Sequence, residues 1–251
     1  VMTYEIYLLI GASFAFLFSM VAYFNFHQNK IGKYLVFLGI ALQFILLVSR
    51  SYFAKHPPFT NLYETMILLP FLFSLRLVFW KKQVEGDIKY GVITLILVLN
   101  LVAILMSDDM KVIKPLMPAL NSFWMYIHVP AYFVAYSSML VATILAVFLF
   151  FQPNNKSIVK KLDEEVKIAF FFLNAGLITG AVWAYFSWGT YWGWDPKEVW
   201  SLINILVLSY YFHVSKKEVL SRAAIVIITF LTIIFTYFGV TFILTGLHSY
   251  T

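Results

Sequence analysis

Hydrophobic residues run through this chain in stretches of 17 to 30 positions, separated by short polar segments. A helix needs about 20 apolar residues to cross the ~30 Å hydrocarbon core of a bilayer. The pattern therefore predicts about eight transmembrane helices, over residues 4–26, 33–54, 61–80, 89–106, 122–151, 168–187, 197–213 and 223–247. The first stretch has no basic start and no A-x-A cleavage site, so we expect a membrane span and not a signal peptide. The predicted fold is an all-α polytopic membrane protein forming one domain, residues 1–251.

Composition and charge agree with this prediction. Of the 251 residues, 62% are hydrophobic and 12% are charged, which leaves no room for a soluble domain of any size. Thirteen of the 18 Lys and Arg residues lie in or beside one set of alternate loops, which we therefore assign to the cytoplasm with both termini outside. The opposite loops hold Arg50, Lys55, Lys111, Lys114 and Lys197. The net charge of +6 is thus explained by topology and does not indicate nucleic-acid binding, and the absence of cysteine excludes thiolate chemistry from this chain.

Residues 183–200, between the sixth and seventh predicted helices, contain five of the seven tryptophans and lie on the predicted outer side. Trp188, Trp192 and Trp194 stand beside Gly189 and Gly193, which allow sharp turns of the backbone. This segment is typical of a surface that holds a large flat ligand. An aromatic belt at the membrane interface remains an alternative for Trp124, Trp183 and Trp200.

The charged residues that follow the tryptophans have the spacing of a helix start. Asp195 at the N-cap, Pro196 at the first helical position and Glu198 three residues after the cap form a capping box. Asn61 and Glu64 repeat the pattern before the third helix. We interpret these carboxylates as capping groups and not as catalytic acids or bases.

Two histidines lie near the predicted outer surface. His128 follows the expected N-cap Ser122 by six residues, about 9 Å along a helix, and His248 follows a predicted helix break at Gly246. Two neutral imidazoles can fill both axial positions of a haem iron, and indole faces can cover the porphyrin. The alternative is that each histidine is an interfacial, hydrogen-bonded residue.

The other histidines have different positions. His213 lies about 26 Å from Pro196 along the seventh helix, at the predicted cytoplasmic end, so it cannot share a small ligand with His128. His27 and His56 lie at a cytoplasmic helix end and in an outer loop. A four-residue spacing places Trp124, His128, Tyr132 and Tyr136 on one face of the fifth helix.

These segments resemble a known family. The run from Trp188 to Trp200 resembles the tryptophan-rich WWD signature of haem-handling membrane proteins in cytochrome c maturation, and its Asp-Pro-Lys-Glu continuation is similar to the CcsA/ResC branch of system II. The segments around His128, His213 and His248 resemble that family's three histidine segments, in the same order, and 57–64 fits as well.

The resemblance implies a function in cytochrome c biogenesis. A member of this family exports haem b across the bacterial cytoplasmic membrane and presents it outside for attachment to the CxxCH motif of apocytochrome c. The resemblance assigns His128 and His248 as axial ligands of the external haem. It places Trp188, Trp192 and Trp194 on the ring, with Trp124 beside them, and His213 in an inner haem site. It also implies a ResB/CcsB-like partner subunit, with which the chain would form a holocytochrome c synthase.

Three alternatives remain open: a CcmC-type system I exporter, a b-type electron-transfer subunit, and a transporter without a cofactor. Eight helices and the Asp-Pro-Lys-Glu sequence argue against the first, and histidines at helix ends argue against the second. We also consider that Arg50, Lys55 and Lys197 pair with haem propionates.

Overall fold

The computed structural model describes residues 2–25, 29–79, 86–244 and 246, and all regular elements within these residues are helical. The all-α prediction is confirmed. The helices are α1 (Met2–Asn25), α2 (Asn29–Ala54), α3 (Leu62–Phe79), α4 (Gly86–Leu105), α5 (Asp108–Lys111), α6 (Met125–Phe151), α7 (Lys156–Trp188), α8 (Pro196–His213), α9 (Val219–Ile234) and α10 (Val240–Ile243). A 3₁₀ turn covers Pro118–Leu120, and a π-helical turn at Phe235–Gly239 connects α9 to α10.

Several helices have the length and composition of membrane spans, so the chain is a multi-pass membrane protein. Within the described residues there are six such stretches: Tyr4–Tyr23, Lys30–Ala54, Ile88–Leu105, Met125–Phe151, Lys156–Trp188 and Val219–Gly239. Helices α3 and α8, of 18 residues each, coincide with the third and seventh predicted spans. The count of eight spans and the outward direction of both termini stay predictions.

The chain divides into two compact units, Val1–Pro118 and Ala119–Thr251. In the first unit α1 packs against α2 and α4, and α3 packs against the same two helices. In the second unit α7 packs against α6 and α8, and α9 packs against the same two helices. Each unit is therefore built on four long helices, every one of which contacts two neighbours.

The start of α7 differs from the prediction. This helix begins at Lys156, twelve residues before the expected start at 168, because the side chain of Asn155 accepts hydrogen bonds from the backbone N–H groups of Ser157 and Ile158. The lysines between 156 and 167 therefore lie on helical turns and not in a loop. Among the described residues the last helical segment is α10, which ends at Ile243 because Leu244 is extended, and most of the predicted end up to 247 lies outside the described residues.

Arg50 is the central polar residue of the first unit. Its side chain is fully buried, and its Nε donates to Glu64 Oε1 at 3.2 Å. Its Nη1 donates to Glu5 Oε2 at 3.3 Å and to the carbonyl oxygen of Lys111 at 2.7 Å. The hypothesis that Arg50 pairs with a haem propionate is therefore wrong, since two carboxylates within the unit already hold this guanidinium.

Glu64 has a larger role than the capping that the sequence predicts. The side chain of Asn61 does accept the N–H of Glu64 at 2.9 Å, which confirms the cap of α3. The Glu64 carboxylate, however, accepts the N–H and the hydroxyl of Thr60 and then the guanidinium of Arg50. It ties the start of α3 to α2.

Candidate functional site

The tryptophan-rich loop begins where Gly189 ends α7. Gly189 adopts a φ of 81°, in the left-handed region that side chains disfavour, and its N–H donates to the carbonyl oxygen of Tyr185 at 2.9 Å. The turn brings Tyr191 back onto Tyr185, with ring centroids 4.4 Å apart and planes within 10°. The loop is therefore folded onto the end of α7, and the predicted turn at Gly189 is confirmed.

The loop ends in the predicted capping box. The side chain of Asp195 accepts the N–H of Lys197 at 3.1 Å, and Glu198 Oε2 accepts the N–H of Asp195 at 3.1 Å. Pro196 occupies the first helical position, where a missing N–H costs nothing. The interpretation of Asp195 and Glu198 as capping groups is confirmed.

Glu198 also fixes the backbone around Trp194. The same Oε2 atom accepts the N–H of Gly193 at 2.8 Å, so one carboxylate oxygen binds the residues on both sides of Trp194. Trp194 is held at a φ of 58°, a conformation that is strained for a bulky side chain. Its indole is 74% exposed and meets the ring of Trp192 edge-on, with centroids 5.9 Å apart. The loop thus presents an aromatic face to its surroundings.

His128 lies close to the start of α6. The helix begins at Met125 with Trp124 as the N-cap residue, not at Ser122, which instead accepts the Met125 N–H in a turn. His128 is consequently only about 5 Å along the helix, nearer to its end than predicted. Trp124 is half-buried, and its ring contacts Phe123 edge-on.

Helix α7 holds the imidazole of His128 in a defined orientation. The Nδ1 atom lies 2.8 Å from the carbonyl oxygen of Gly176, and a carbonyl can only accept, so Nδ1 carries the proton. In the neutral imidazole the lone pair then resides on Nε2, and this is the form of histidine that ligates iron. A Cβ on Gly180 would stand 2.5 Å from the ring, and one on Gly176 would stand 2.8 Å from the ring of Tyr132. Gly176 and Gly180, one turn apart on α7, therefore leave room for the side chains of Tyr132 and His128 on α6.

Trp183 connects His128 to the tryptophan loop. Its ring lies 5.6 Å from the imidazole with planes 24° apart, and it meets Trp188 edge-on at 4.9 Å. Further along α6, the ring of Tyr132 lies 5.0 Å from the imidazole of His128, and the ring of Tyr136 lies 5.5 Å from that of Tyr132. These contacts confirm the predicted face for the three residues. The structure thus brings His128 into contact, through one indole, with the start of the loop.

Of the other candidate haem-ligating histidines, only His213 lies within the described residues. His213 is the last residue of α8 and is exposed, at the opposite end of a helix of 18 residues from the capping box. His248 and His27 lie outside the described residues. Gly246, two positions before His248, lies against the N-terminus of α8: a Cβ there would collide with Asp195 Oδ1 and lie 3.0 Å from Pro196 Cδ. Among the described residues no cluster of three or more His, Asp and Glu side chains could hold a bare metal ion.

Sequence reasoning missed the residues that surround His128. The sequence pattern does not single out Gly176, Gly180 or Ala119, and it leaves an aromatic belt as an alternative for Trp183. The Gly-x-x-x-Gly spacing of 176 and 180 was the available signal, since small residues at this interval allow two membrane helices to approach closely. What the spacing alone does not reveal is which side chain enters the space.

Comparison with known proteins places these features in a family. Residues 59–248 match the model of the cytochrome C assembly protein family. The chain is 32% identical over 246 residues to the cytochrome c biogenesis protein CcsA of Chlamydomonas reinhardtii, covering 90% of this chain and 70% of the relative. It is 29% identical over 291 residues to the protein of the same name from Mesostigma viride, covering 96% and 95%. The CcsA of Prochlorococcus marinus strain MIT 9515 is 29% identical over 276 residues, covering 92% and 87%.

Proposed function

We propose, on the premise that the chain belongs to the cytochrome c assembly protein family and acts in cytochrome c biogenesis, that it exports haem and presents it at the tryptophan loop. In this proposal the loop faces the outside of the bacterial cytoplasmic membrane, and apocytochrome c receives haem b there. A ResB/CcsB-like subunit completes the synthase. The observation that carries the proposal is the orientation of His128, with Nδ1 bound to the Gly176 carbonyl.

The residues of this site fit an axial ligand and an aromatic platform. A histidine that donates one ring nitrogen to a backbone carbonyl has its tautomer and ring orientation fixed, as metal-bound histidines do. The exposed Trp194 and the half-buried Trp192 supply apolar faces on the loop, and the half-buried Trp188 supplies another at the end of α7. We assign Nε2 of His128 as one axial ligand and His248 as the other.

Transfer to the cytochrome follows from this arrangement. Haem is the cargo, and the protein contributes binding, orientation and exclusion of water. The histidine of an incoming Cys-x-x-Cys-His segment replaces one of the two axial histidines, which places two thiols beside the vinyl groups. Each thiol then adds across a vinyl double bond: the S–H bond breaks, a C–S bond forms, and the proton goes to the other vinyl carbon. The addition needs no external oxidant or reductant.

The inner site is assigned to His213. An open apolar groove of about 520 Å³ runs along α7 beside Phe212, the neighbour of His213, and Lys167 lies at one end of its lining. Apolar walls suit a porphyrin, and a cation suits its propionates. These features support entry of haem from the cytoplasmic side.

The ligand assignment is tested by His128→Gly and His248→Gly variants, purified with a ResB/CcsB-like subunit. We expect each to lose the six-coordinate bis-histidine spectrum and the maturation of a reporter cytochrome c, and added imidazole to restore both in part. His213→Gly is the matched comparison: it should lower the supply of haem from the inner site, but the haem that reaches the external site should keep its bis-histidine spectrum. A full bis-histidine spectrum in the double variant at 128 and 248 overturns the assignment. Haem delivered only to a chaperone, with no thioether product, would overturn the synthase proposal in favour of a CcmC-type exporter.

A further inference from the structure

Trp183 occupies an unusual position for a residue of a membrane helix. Its side chain is only 3% exposed, although it lies five residues from the end of α7. Its indole N–H donates to the carbonyl oxygen of Ala119 at 2.9 Å, and the hydroxyl of Ser187 donates to the same oxygen at 3.3 Å. Ala119 belongs to the 3₁₀ turn that precedes α6. Trp183 is therefore anchored to the segment that leads into the helix carrying His128.

The anchored indole limits the motion of the imidazole. The bond from Nδ1 to Gly176 fixes the tautomer, and the backbone at Gly180 closes one side of the ring. The hydrogen bond to Gly176 is a single restraint on rotation about χ2, a torsion with a broad energy profile in histidine. The nearly parallel contact with Trp183, at 5.6 Å and 24°, adds a second restraint on that rotation. The three neighbours together hold the ring in one orientation.

We propose that Trp183 is a positioning residue for the haem ligand His128, and that the carbonyl of Ala119 sets its orientation. This inference rests on the proposed function, because it concerns how the assigned ligand meets the iron. The hydrogen-bond partner of a metal-bound histidine contributes about 10- to 100-fold to affinity, and Trp183 holds the ring where it can make that bond to Gly176. Trp183 acts on the direction of the Nε2 lone pair and does not itself touch the iron.

The experiment compares three purified variants, Trp183→Leu, Trp183→Phe and Trp200→Phe. Leucine removes the stacked ring, and phenylalanine keeps an aromatic face but loses the N–H that binds Ala119. Trp200 pairs with Phe235 at 4.3 Å in the same unit and serves as the matched control. We measure haem dissociation constants, the EPR spectrum of the ferric low-spin form, and the ¹⁵N shifts of His128 in haem-free protein.

We expect the leucine variant to lose about 10- to 100-fold in haem affinity and to broaden the EPR signal, which depends on the orientation of the axial imidazole plane. The haem affinity and EPR signal of the phenylalanine variant should lie between those of the leucine variant and the wild type. Trp200→Phe should match the wild type in both. In haem-free wild-type protein the ¹⁵N shifts should show one tautomer. In the leucine variant the freer ring should break its hydrogen bond to Gly176 part of the time, and a mixture of tautomers should appear.

The outcomes separate the inference from the function on which it rests. Haem bound to the wild-type protein through an iron that His128 does not ligate overturns the proposed function. Wild-type protein that ligates haem through His128, with unchanged affinity and EPR signal in both Trp183 variants, overturns the positioning role alone. If the leucine variant does not fold, Ser187→Ala takes its place beside the phenylalanine variant. An unchanged EPR signal in both of these variants then overturns the inference.

Discussion

Replacing Trp194 with glycine should weaken haem binding with little effect on folding stability. Trp194 has a φ of 58°, a conformation that side chains disfavour and glycine adopts readily. The strain persists because Glu198 binds the N–H groups of Gly193 and Asp195 on either side. The 74% exposed indole adds little to the buried core. Backbone strain together with an exposed indole is expected of a side chain that binds a ligand and adds little to the stability of the fold.

The contributions to stability nearly cancel. Relief of the left-handed strain contributes about 1–2 kcal/mol. Against it stand about 0.5–1 kcal/mol for the added freedom of glycine in the unfolded chain, and about 0.5–1.5 kcal/mol for the lost edge contact with Trp192. We expect Trp194→Gly to change the free energy of unfolding by less than about 1 kcal/mol.

The effect on binding is larger. If the indole covers about 100 Å² of the porphyrin, its removal costs about 2.5 kcal/mol at ~25 cal/mol per Å². This corresponds to a loss of roughly 10- to 100-fold in affinity.

The assay pairs thermal unfolding in detergent with haem titration, and Trp194→Ala is the matched control. Alanine removes the indole but keeps a Cβ at positive φ, so it should be less stable than the glycine variant by about 0.5–1 kcal/mol. This order is the reverse of the usual one, in which alanine is the more stable. Both variants should bind haem equally weakly. A glycine variant that is less stable than the alanine variant refutes the strain argument. Unchanged haem affinity in both variants refutes the proposed contact between the Trp194 indole and haem.

Three further predictions concern other residues. Gly180→Ala should displace the imidazole of His128, destabilise the fold by about 1–3 kcal/mol and lower haem retention. Full haem retention in a haem titration contradicts the role of Gly180 in making room for the imidazole. Arg50→Met should lower the free energy of unfolding by about 3–5 kcal/mol because two buried carboxylates lose their cation. Thermal unfolding measures this loss, and Glu5→Gln with Glu64→Gln should recover part of it; wild-type stability in Arg50→Met alone rejects the proposed ion-pair role. Glu198→Ala should cost about 1 kcal/mol through the lost cap and speed hydrogen exchange at residues 193 and 195, whereas unchanged exchange contradicts its hold on Trp194.

The helices and caps of this protein could be predicted because they depend on neighbours in the chain. The runs of apolar residues predicted most spans to within a few residues, and Asp195, Pro196 and Glu198 predicted the start of α8. The start of α7 could not be placed, since the lysines after Asn155 have the composition of a loop even though Asn155 supplies a cap. A charged composition favours a loop, whereas α7 carries these lysines on helical turns that precede its apolar stretch.

The environment of His128 could be predicted only in part. Its position near a helix end followed from counting residues, and its contact with Tyr132 followed from the i, i+4 rule. Its bond to Gly176, 48 positions away, and its stacking on Trp183 required knowing that α6 and α7 pack together. The sequence showed a Gly-x-x-x-Gly spacing without showing the side chain that uses it.

The sequence by itself determined the membrane class, the family and the local geometry at the start of α8, because apolar length, motif and capping are read within a few consecutive residues. Only the tertiary structure decided that Arg50 is held by Glu5 and Glu64, and that Nδ1 of His128 meets the carbonyl oxygen of Gly176. Both depend on groups that are far apart in the chain and meet only when helices pair. The partner of a buried polar atom is a property of packing, and no pattern of consecutive residues specifies it.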